Sequence, residues 1–175
     1  MKYETKWSLI PTHDIDVSTL ETPYDISSYM KKHNIDKYLY MVKYKGIVLK
    51  YGMSADNSRT YGDRIYRQIG HSKSWGDLRL TGSSGSDWRI IEEDFETTYG
   101  CSIDKNFLKI KLWDVSQYPF ETINPWHEVL MMESQLISKY VDAVGEKPIG
   151  NIHDDANVFR RPAIKKETWK SLFEQ

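Results

Sequence analysis

The chain has 175 residues, of which 39% are hydrophobic and 28% charged, and its formal net charge is −1. This length and composition indicate one globular domain with a sizeable core and exclude a disordered or fibrous chain. The apolar runs are too short to span a bilayer, no secretory signal pattern begins the chain, and the single cysteine excludes an intramolecular disulfide. We therefore expect a cytoplasmic or nuclear protein that is neither secreted nor inserted in a membrane.

Residues 1–37 are predicted to form an N-terminal extension before the main domain. Two prolines interrupt this segment, and residues 27–33 have the composition of a short helix. His13 and Asp14 are metal-ligand residue types, but neighbours in the chain chelate an ion poorly and no partner is evident. A turn or a helix cap is therefore the favoured interpretation of this pair.

A β-hairpin is predicted next. Two apolar runs, 38–42 and 47–51, flank a short turn that contains Gly46, which is the pattern of strand, turn and strand. The two strands carry Tyr40 and Tyr51, eleven residues apart, and a Gly-x-Ser loop follows the second tyrosine. We expect the hairpin to bring the two phenol groups near each other.

Five further segments follow the hairpin. They are a helix over residues 58–69, a glycine- and serine-rich loop over 81–86, a helix over 88–99, a strand over 107–115 and a helix over 125–144. The last helix begins at a proline and is followed by Gly145, as helices commonly are. The predicted order of elements is therefore β-β-α-α-β-α.

Positive charge is concentrated on the hairpin and the segment after it. Between Lys43 and Arg79, eight basic residues face three acidic ones, although the whole chain is nearly neutral. Such a patch could hold phosphate groups. A lysine-protected hairpin edge and a solvated helix face explain the same charges, and the pattern by itself favours this plainer interpretation.

The apolar face of the last helix contains one carboxylate. Apolar residues recur at helical spacing from Trp126 to Val141, and this spacing requires an apolar residue where the chain has Glu133. A buried carboxylate is costly unless a cation, a hydrogen bond or an opposite charge compensates it. Glu133 is therefore either a candidate site residue or half of a structural ion pair with an arginine.

These features together resemble the GIY-YIG nuclease family over residues 38–151. The triplet Tyr38-Leu39-Tyr40 stands where the family has Gly-Ile-Tyr, and Tyr51-Gly52 stands where it has Tyr-Ile-Gly. The spacing of eleven residues between the tyrosines is that of the family. The functional residues of the family match Tyr40, Tyr51, Arg64 on the first helix, Glu133 on the last helix, and Asn151 or alternatively Asn157.

The chain also departs from the family pattern in two places. Neither half of the tyrosine motif is spelled as in the family, because the glycine of the second half directly follows its tyrosine. The family's histidine or tyrosine one helical turn after the arginine is Gln68 here, and the nearest histidine is His71.

The resemblance implies a fold, a reaction and a set of roles. The fold is of the α/β (α+β) class, with a small, mainly antiparallel three-stranded sheet flanked by helices. The reaction is hydrolysis of DNA phosphodiester bonds by a metal-dependent endonuclease of phage, homing or restriction type. Tyr40 is the general base, Tyr51 orients the attacking water, Arg64 stabilises the transition state, and Glu133 holds Mg²⁺ or Mn²⁺. Contacts to DNA phosphates are expected from Lys50, Arg67, His71 and Asn151.

A catalytically silent member of the fold is the alternative. Such a module would bind nucleic acid or another partner without cleaving it, with both tyrosines as sheet aromatics and Arg64 paired with Glu133. DNA is the expected partner, RNA is a weaker option, and a homodimer is left open. The expected divisions are the extension 1–37, the nuclease-like domain 38–157 and a basic tail 158–175.

Overall fold

The computed structural model of the chain describes residues 4–22, 24–55, 96–97, 100, 103–145, 147–148 and 151. The strands are β1 (Thr12–Asp16), β2 (Tyr38–Tyr44), β3 (Ile47–Ser54) and β4 (Leu108–Asp114), and the helices are α1 (Tyr24–Lys32) and α2 (Trp126–Val144). The sheet order is β1-β4-β2-β3, and every neighbouring pair is antiparallel. The described part of the chain is thus a mixed α+β structure, as predicted at this coarse level.

The expectation of a three-stranded sheet is wrong by one strand. Thr12 to Asp16, within the segment predicted as an extension, pair with β4 from Trp113 to Lys109. The predicted turn at His13 and Asp14 is therefore part of a strand. Only the end of this motif forms a cap, because the Asp16 carboxylate accepts a hydrogen bond from the backbone N–H of Ser18 at 3.0 Å.

The predicted hairpin is confirmed. Its strands are joined by Lys45 and Gly46, which both have positive φ, at 50° and 81°. Two such residues are typical of the tight turn that matches the twist of paired strands. The ladder then contains a β-bulge, because Val42 pairs with Lys50 whereas Lys43 pairs with Val48.

One face of the sheet packs against α1 and is called the α1 face. Alternate residues of β2 and β4 point to this side, and the β4 set is the predicted one of Leu108, Ile110 and Leu112. They pack with Ile15 of β1 and with the buried residues of α1 in a single apolar cluster. The N-terminal segment therefore contributes directly to the core.

The opposite face packs against α2 and is called the α2 face. Val129, Met132 and Leu136 of the helix cluster with Leu39 and Met41 of β2 and with neighbouring residues of β3. The helix ends where predicted, because Gly145 has φ of +90° and its N–H donates to the carbonyl of Val141 at 2.7 Å. The helix lies mainly over β3 and β2.

Several predicted segments lie outside the described residues. These are the helix over 58–69, the loop over 81–86, the tail 158–175 and most of the helix over 88–99. Glu96 and Thr97 are helical, and the N–H of Gly100 donates to the carbonyl of Glu96 at 2.8 Å. Within the described ranges, no helix is both long and apolar enough to cross a bilayer.

Candidate functional site

Tyr40 lies on the α1 face, directly opposite Gly52 of β3. Its ring extends across this glycine, so that its Cζ, Cε1 and Oη atoms occupy the space where a side chain at position 52 would begin. The phenol is 1% exposed. Gly52 is therefore required by the close approach of a neighbouring ring, and the tyrosine is directed toward β3, the last strand of the sheet.

Tyr51 lies on the other side of the sheet from Tyr40. It pairs with Met41 and belongs to the apolar cluster of the α2 face. Its ring centroid is 6.2 Å from that of Tyr140 on α2 and 6.4 Å from that of Trp113 on β4. The hairpin thus brings the two tyrosines onto adjacent strands, but their side chains leave opposite faces.

Asn151 is hydrogen-bonded to the backbone of Tyr51. The N–H of Tyr51 donates to Oδ1 of Asn151 at 2.9 Å, and Nδ2 of Asn151 donates to the carbonyl of Tyr51 at 2.9 Å. The side chain is 7% exposed. The carboxamide of Asn151, predicted to contact phosphate, fixes the chain after α2 to β3.

Glu133 lies on the buried face of α2, as its position in the apolar stripe predicted. The residue is 5% exposed and shares a helix face with Val129, Met132 and Leu136, which pack on the sheet. A carboxylate in such a place is costly unless it is compensated. This makes Glu133 the most informative acidic residue in the described part of the chain.

Buried charge in the described residues is concentrated around one strand of the sheet, β3, on both of its faces. Among the residues that the structure describes, only Lys50, Glu133 and Lys147 are charged and less than a tenth exposed, at 7%, 5% and 4%. Lys50 is on β3, Glu133 is on the helix packed against β3, and Lys147 begins the segment that Asn151 fixes to β3. This concentration defines the candidate site at the outer strand of the sheet.

Four predicted residues are not among those that the structure describes. Arg64, Arg67, His71 and the alternative asparagine, Asn157, all lie outside the described residues. Of the remaining predicted residues, Tyr40 and Lys50 share the α1 face, because Lys50 pairs with Val42. Tyr51 and Glu133 belong to the α2 side, and Asn151 lies at β3.

Two aromatic residues and one lysine of this region were not singled out from the sequence. Tyr140 and Trp113 flank the Tyr51 ring, and Lys147 is buried beside the fixed segment. Trp113 carries a detectable signal, because it is a large apolar residue on the polar side of an alternating strand. The other two carry none, since Tyr140 fits the helix stripe and Lys147 follows a helix end as many lysines do.

Tyr51 has an environment that opposes ionisation. Burial raises the pKa of its phenol, and the neighbouring Tyr140 raises the same pKa further. A protonated phenol donates a hydrogen bond but does not accept a proton at neutral pH. Tyr51 is therefore suited to orient a water molecule or a phosphate oxygen and unsuited to act as a base.

The raised pKa of Tyr51 predicts a specific loss of stability in alkali. In the unfolded chain this phenol ionises near pH 10, and in the folded chain it does so at higher pH. Its stabilising contribution is complete below about pH 10 and is lost as the pH rises through the folded pKa. Above about pH 10, but not below it, the free energy of unfolding of Tyr51→Phe is expected to rise relative to that of the unmodified protein. Urea unfolding from pH 7 to 11 measures this, with Tyr118→Phe as the control for loss of a hydroxyl.

Parallel pH profiles for the unmodified protein and Tyr51→Phe would contradict the assigned environment of Tyr51. The test uses the difference in unfolding free energy between Tyr51→Phe and the unmodified protein at each pH, because tyrosines and lysines in general titrate in this pH range.

The described residues offer one buried carboxylate, that of Glu133, as a possible ligand for a cation. Among the described residues, no group of three or more His, Cys, Asp or Glu side chains is placed to hold a metal ion. Mg²⁺ differs from Zn²⁺ in this respect, because it retains several waters and often takes only one or two carboxylates from the protein. Glu133 is the buried carboxylate that could supply such a ligand.

Comparison of the chain with protein-family models, with curated proteins and with solved structures finds no match. The functional assignment therefore depends on the residues themselves and on where the fold places them.

Proposed function

We propose that the protein is a Mg²⁺-dependent endonuclease that hydrolyses DNA phosphodiester bonds. The observation that supports the proposal is the concentration of buried charge around β3, where Glu133 lies on the helix that packs on β3, Lys50 lies on β3 itself, and Lys147 lies in the segment after the helix. Buried charges are expensive, and their clustering is typical of functional sites. The resemblance of the tyrosine, arginine and glutamate pattern to the GIY-YIG family supports the reaction.

Glu133 would hold the cation in this site. Bound Mg²⁺ would polarise the scissile phosphate and stabilise the charge of the leaving oxygen. The buried position of Glu133 keeps its carboxylate in a low-dielectric environment, which strengthens its interaction with a cation.

The two tyrosines would have different tasks because they occupy different faces. The resemblance assigns Tyr40 the role of accepting a proton from the attacking water, and Lys50 lies on the same face of the sheet as Tyr40, opposite to the face on which Glu133 lies. Tyr51 would remain protonated and donate a hydrogen bond. Arg64 is proposed to bind the non-bridging phosphate oxygens.

A module that binds nucleic acid or another partner without cleaving it is the second candidate. The separation of Tyr40 and Tyr51 onto opposite faces favours it, because two phenols acting on one water would be expected on the same side. A nuclease leaves cut DNA and a binding module leaves DNA intact, so one assay distinguishes the two functions.

The assay is incubation of the purified protein with supercoiled plasmid in the presence of Mg²⁺, Mn²⁺ or EDTA. An endonuclease is expected to give nicked circles or linear DNA with either metal and intact plasmid in EDTA. Plasmid that stays intact with both metals, together with a retained shift of DNA in a gel, would replace the nuclease by the binding module.

A further inference from the structure

The α2 face of the sheet is only partly covered by α2. The helix packs on β3 and β2, whereas β4 presents Lys109, Lys111 and Trp113 toward the same side. Lys43 of β2 belongs to this row, because it lies on the same face and pairs with Lys109. We call these four residues the β4 lysine surface. Lys109 is exposed and the other three are half-buried.

Two lysines of this surface are direct cross-strand neighbours. Lys43 and Lys109 occupy opposing positions in the β2 and β4 ladder, which places their Cβ atoms about 5 Å apart. Like charges in this arrangement destabilise a sheet. An anion bound between the two lysines would attract both of them, so that the arrangement of charges would become stabilising.

Carboxylates of the described residues neutralise the pair only weakly. Asp16 of β1 lies opposite Lys109, but its carboxylate accepts hydrogen bonds from the N–H and the hydroxyl of Ser18, at 3.0 and 2.6 Å. Hydrogen bonds from Ser18 are the main cause of the lowered pKa of Asp16, and the charge of Lys109 is the smallest of its causes. Asp14 lies opposite Lys111 without forming an ion pair. Across the described ranges, the one ion pair within 4 Å joins Lys37 and Asp36, away from this surface.

An aromatic ring connects the lysines to the candidate site. The Nζ of Lys111 lies over the ring of Trp113, 5.4 Å from its centroid. The same indole is 6.4 Å from the ring of Tyr51. The surface is therefore continuous with the side of β3 on which Tyr51 and α2 meet.

We propose that the β4 lysine surface binds the phosphodiester backbone of nucleic acid. Lys109 and Lys111 are spaced by about 7 Å along one strand, similar to successive phosphates of an extended chain, and Lys43 adds a third cation beside them. Lysines supply the electrostatic part of such binding. Its role in guiding DNA to the cleavage site rests on the proposed nuclease function, whereas binding itself does not.

The test measures DNA binding without cleavage. Glu133→Gln protein in EDTA is titrated into a fluorescein-labelled 30-base-pair DNA duplex and an RNA duplex of the same sequence, and anisotropy is recorded from 50 to 300 mM KCl. Lys43→Gln/Lys109→Gln in the same background is expected to bind DNA roughly tenfold more weakly. The slope of log K against log salt is expected to fall by about 2, since each lost phosphate contact removes about 1.

Lys31→Gln/Lys32→Gln is the matched control. It removes the same charge from the exposed end of α1, on the opposite face of the sheet, and is expected to bind like the parent. Folding does not confound the comparison, because removing the like-charge pair relieves repulsion and leaves the contact between Lys111 and Trp113 intact. Thermal unfolding of each variant checks this.

The outcomes separate the surface from the nuclease. Equal weakening of DNA binding in both double variants, or no weakening in either, would overturn the proposed β4 lysine surface. Neither outcome would change the interpretation of the plasmid cleavage assay. Weaker binding only in Lys43→Gln/Lys109→Gln supports the proposed surface. This holds even if the plasmid stays intact with Mg²⁺, which would contradict the proposed nuclease activity. A parent protein that binds neither duplex would also overturn the surface. A selective effect on the RNA duplex would support the surface with RNA as its ligand.

Discussion

Glu133→Gln is expected to lower metal-dependent plasmid cleavage by about a thousandfold or more. The substitution keeps the size of the side chain but removes the charge that is proposed to hold the cation. Metal ions supply several kcal/mol of charge stabilisation in such reactions, and each 1.36 kcal/mol is about a factor of ten in rate. The measurement is the initial rate of nicking of supercoiled plasmid at saturating Mg²⁺.

Glu128→Gln is the matched control for this experiment. It is the same chemical change on the same helix, and the Glu128 carboxylate accepts hydrogen bonds from the N–H and hydroxyl of Thr122, at 3.3 and 2.7 Å. The amide oxygen of a glutamine can accept both bonds from Thr122, but the bond that the second carboxylate oxygen accepts from the N–H of Glu121, at 3.2 Å, is lost. This loss is confined to the solvent-exposed start of the helix, so cleavage is expected to stay near that of the parent. Cleavage that survives Glu133→Gln would place the metal ligand elsewhere.

Stability distinguishes a site residue from a structural ion pair. If Glu133 were chiefly half of a buried pair, removing its charge would leave the partner uncompensated and cost about 3–5 kcal/mol. If it is held in place for the cation, Gln at this position is expected to unfold at a similar or higher temperature. Calorimetry of both variants without metal decides between these roles.

Gly52→Ala is expected to destabilise the protein by about 1–3 kcal/mol, the usual range for an overpacked core. The new methyl group would overlap the ring of Tyr40, which is 1% exposed and packed in the α1-face cluster. For a chain of this length, such a loss lowers the unfolding temperature by roughly 2–12 °C. Thermal unfolding followed by circular dichroism measures it.

A double-mutant cycle identifies the cause of that loss. Tyr40→Leu shortens the side chain that crosses Gly52, so Gly52→Ala is expected to cost much less in the Tyr40→Leu background. Tyr40→Phe serves as the control, because it removes only the hydroxyl and keeps both of the ring carbons that overlap the added methyl. Equal costs of Gly52→Ala in all three backgrounds would show that the ring is not the obstacle.

Local patterns were enough to predict the hairpin, the strand β4 and the long helix α2. Each is specified by residues close in the chain, such as Lys45 and Gly46 at the turn and Gly145 at the helix end. The buried position of Glu133 could also be read from helical spacing alone.

The separation of the two tyrosines could not be predicted, because it depends on one bulge. Counting from the turn, where Tyr44 pairs with Ile47, an unbroken ladder would place Tyr51 directly opposite Tyr40. The irregularity after Val42 shifts the partner of Tyr40 to Gly52, and a shift of one residue moves a side chain to the other face. A spacing of eleven residues contains no information about this shift.

Strand β1 could not be predicted from the sequence, for a different reason. Only Ile15 among its five residues is buried, so the segment shows almost no alternation of apolar and polar residues. Its partner, β4, lies about a hundred residues further along the chain, and such pairing is not encoded in local sequence.

The hydrogen bonds between Asn151 and Tyr51 also bear on self-association. An outer strand with open backbone groups is a template on which another chain can add a strand. At Tyr51 those groups are already occupied by a carboxamide, which presents the same donor and acceptor as a neighbouring peptide. Two copies of this protein therefore cannot join their sheets through this part of β3 while Asn151 stays bonded. A dimer formed by strand addition must pair at another part of a sheet edge.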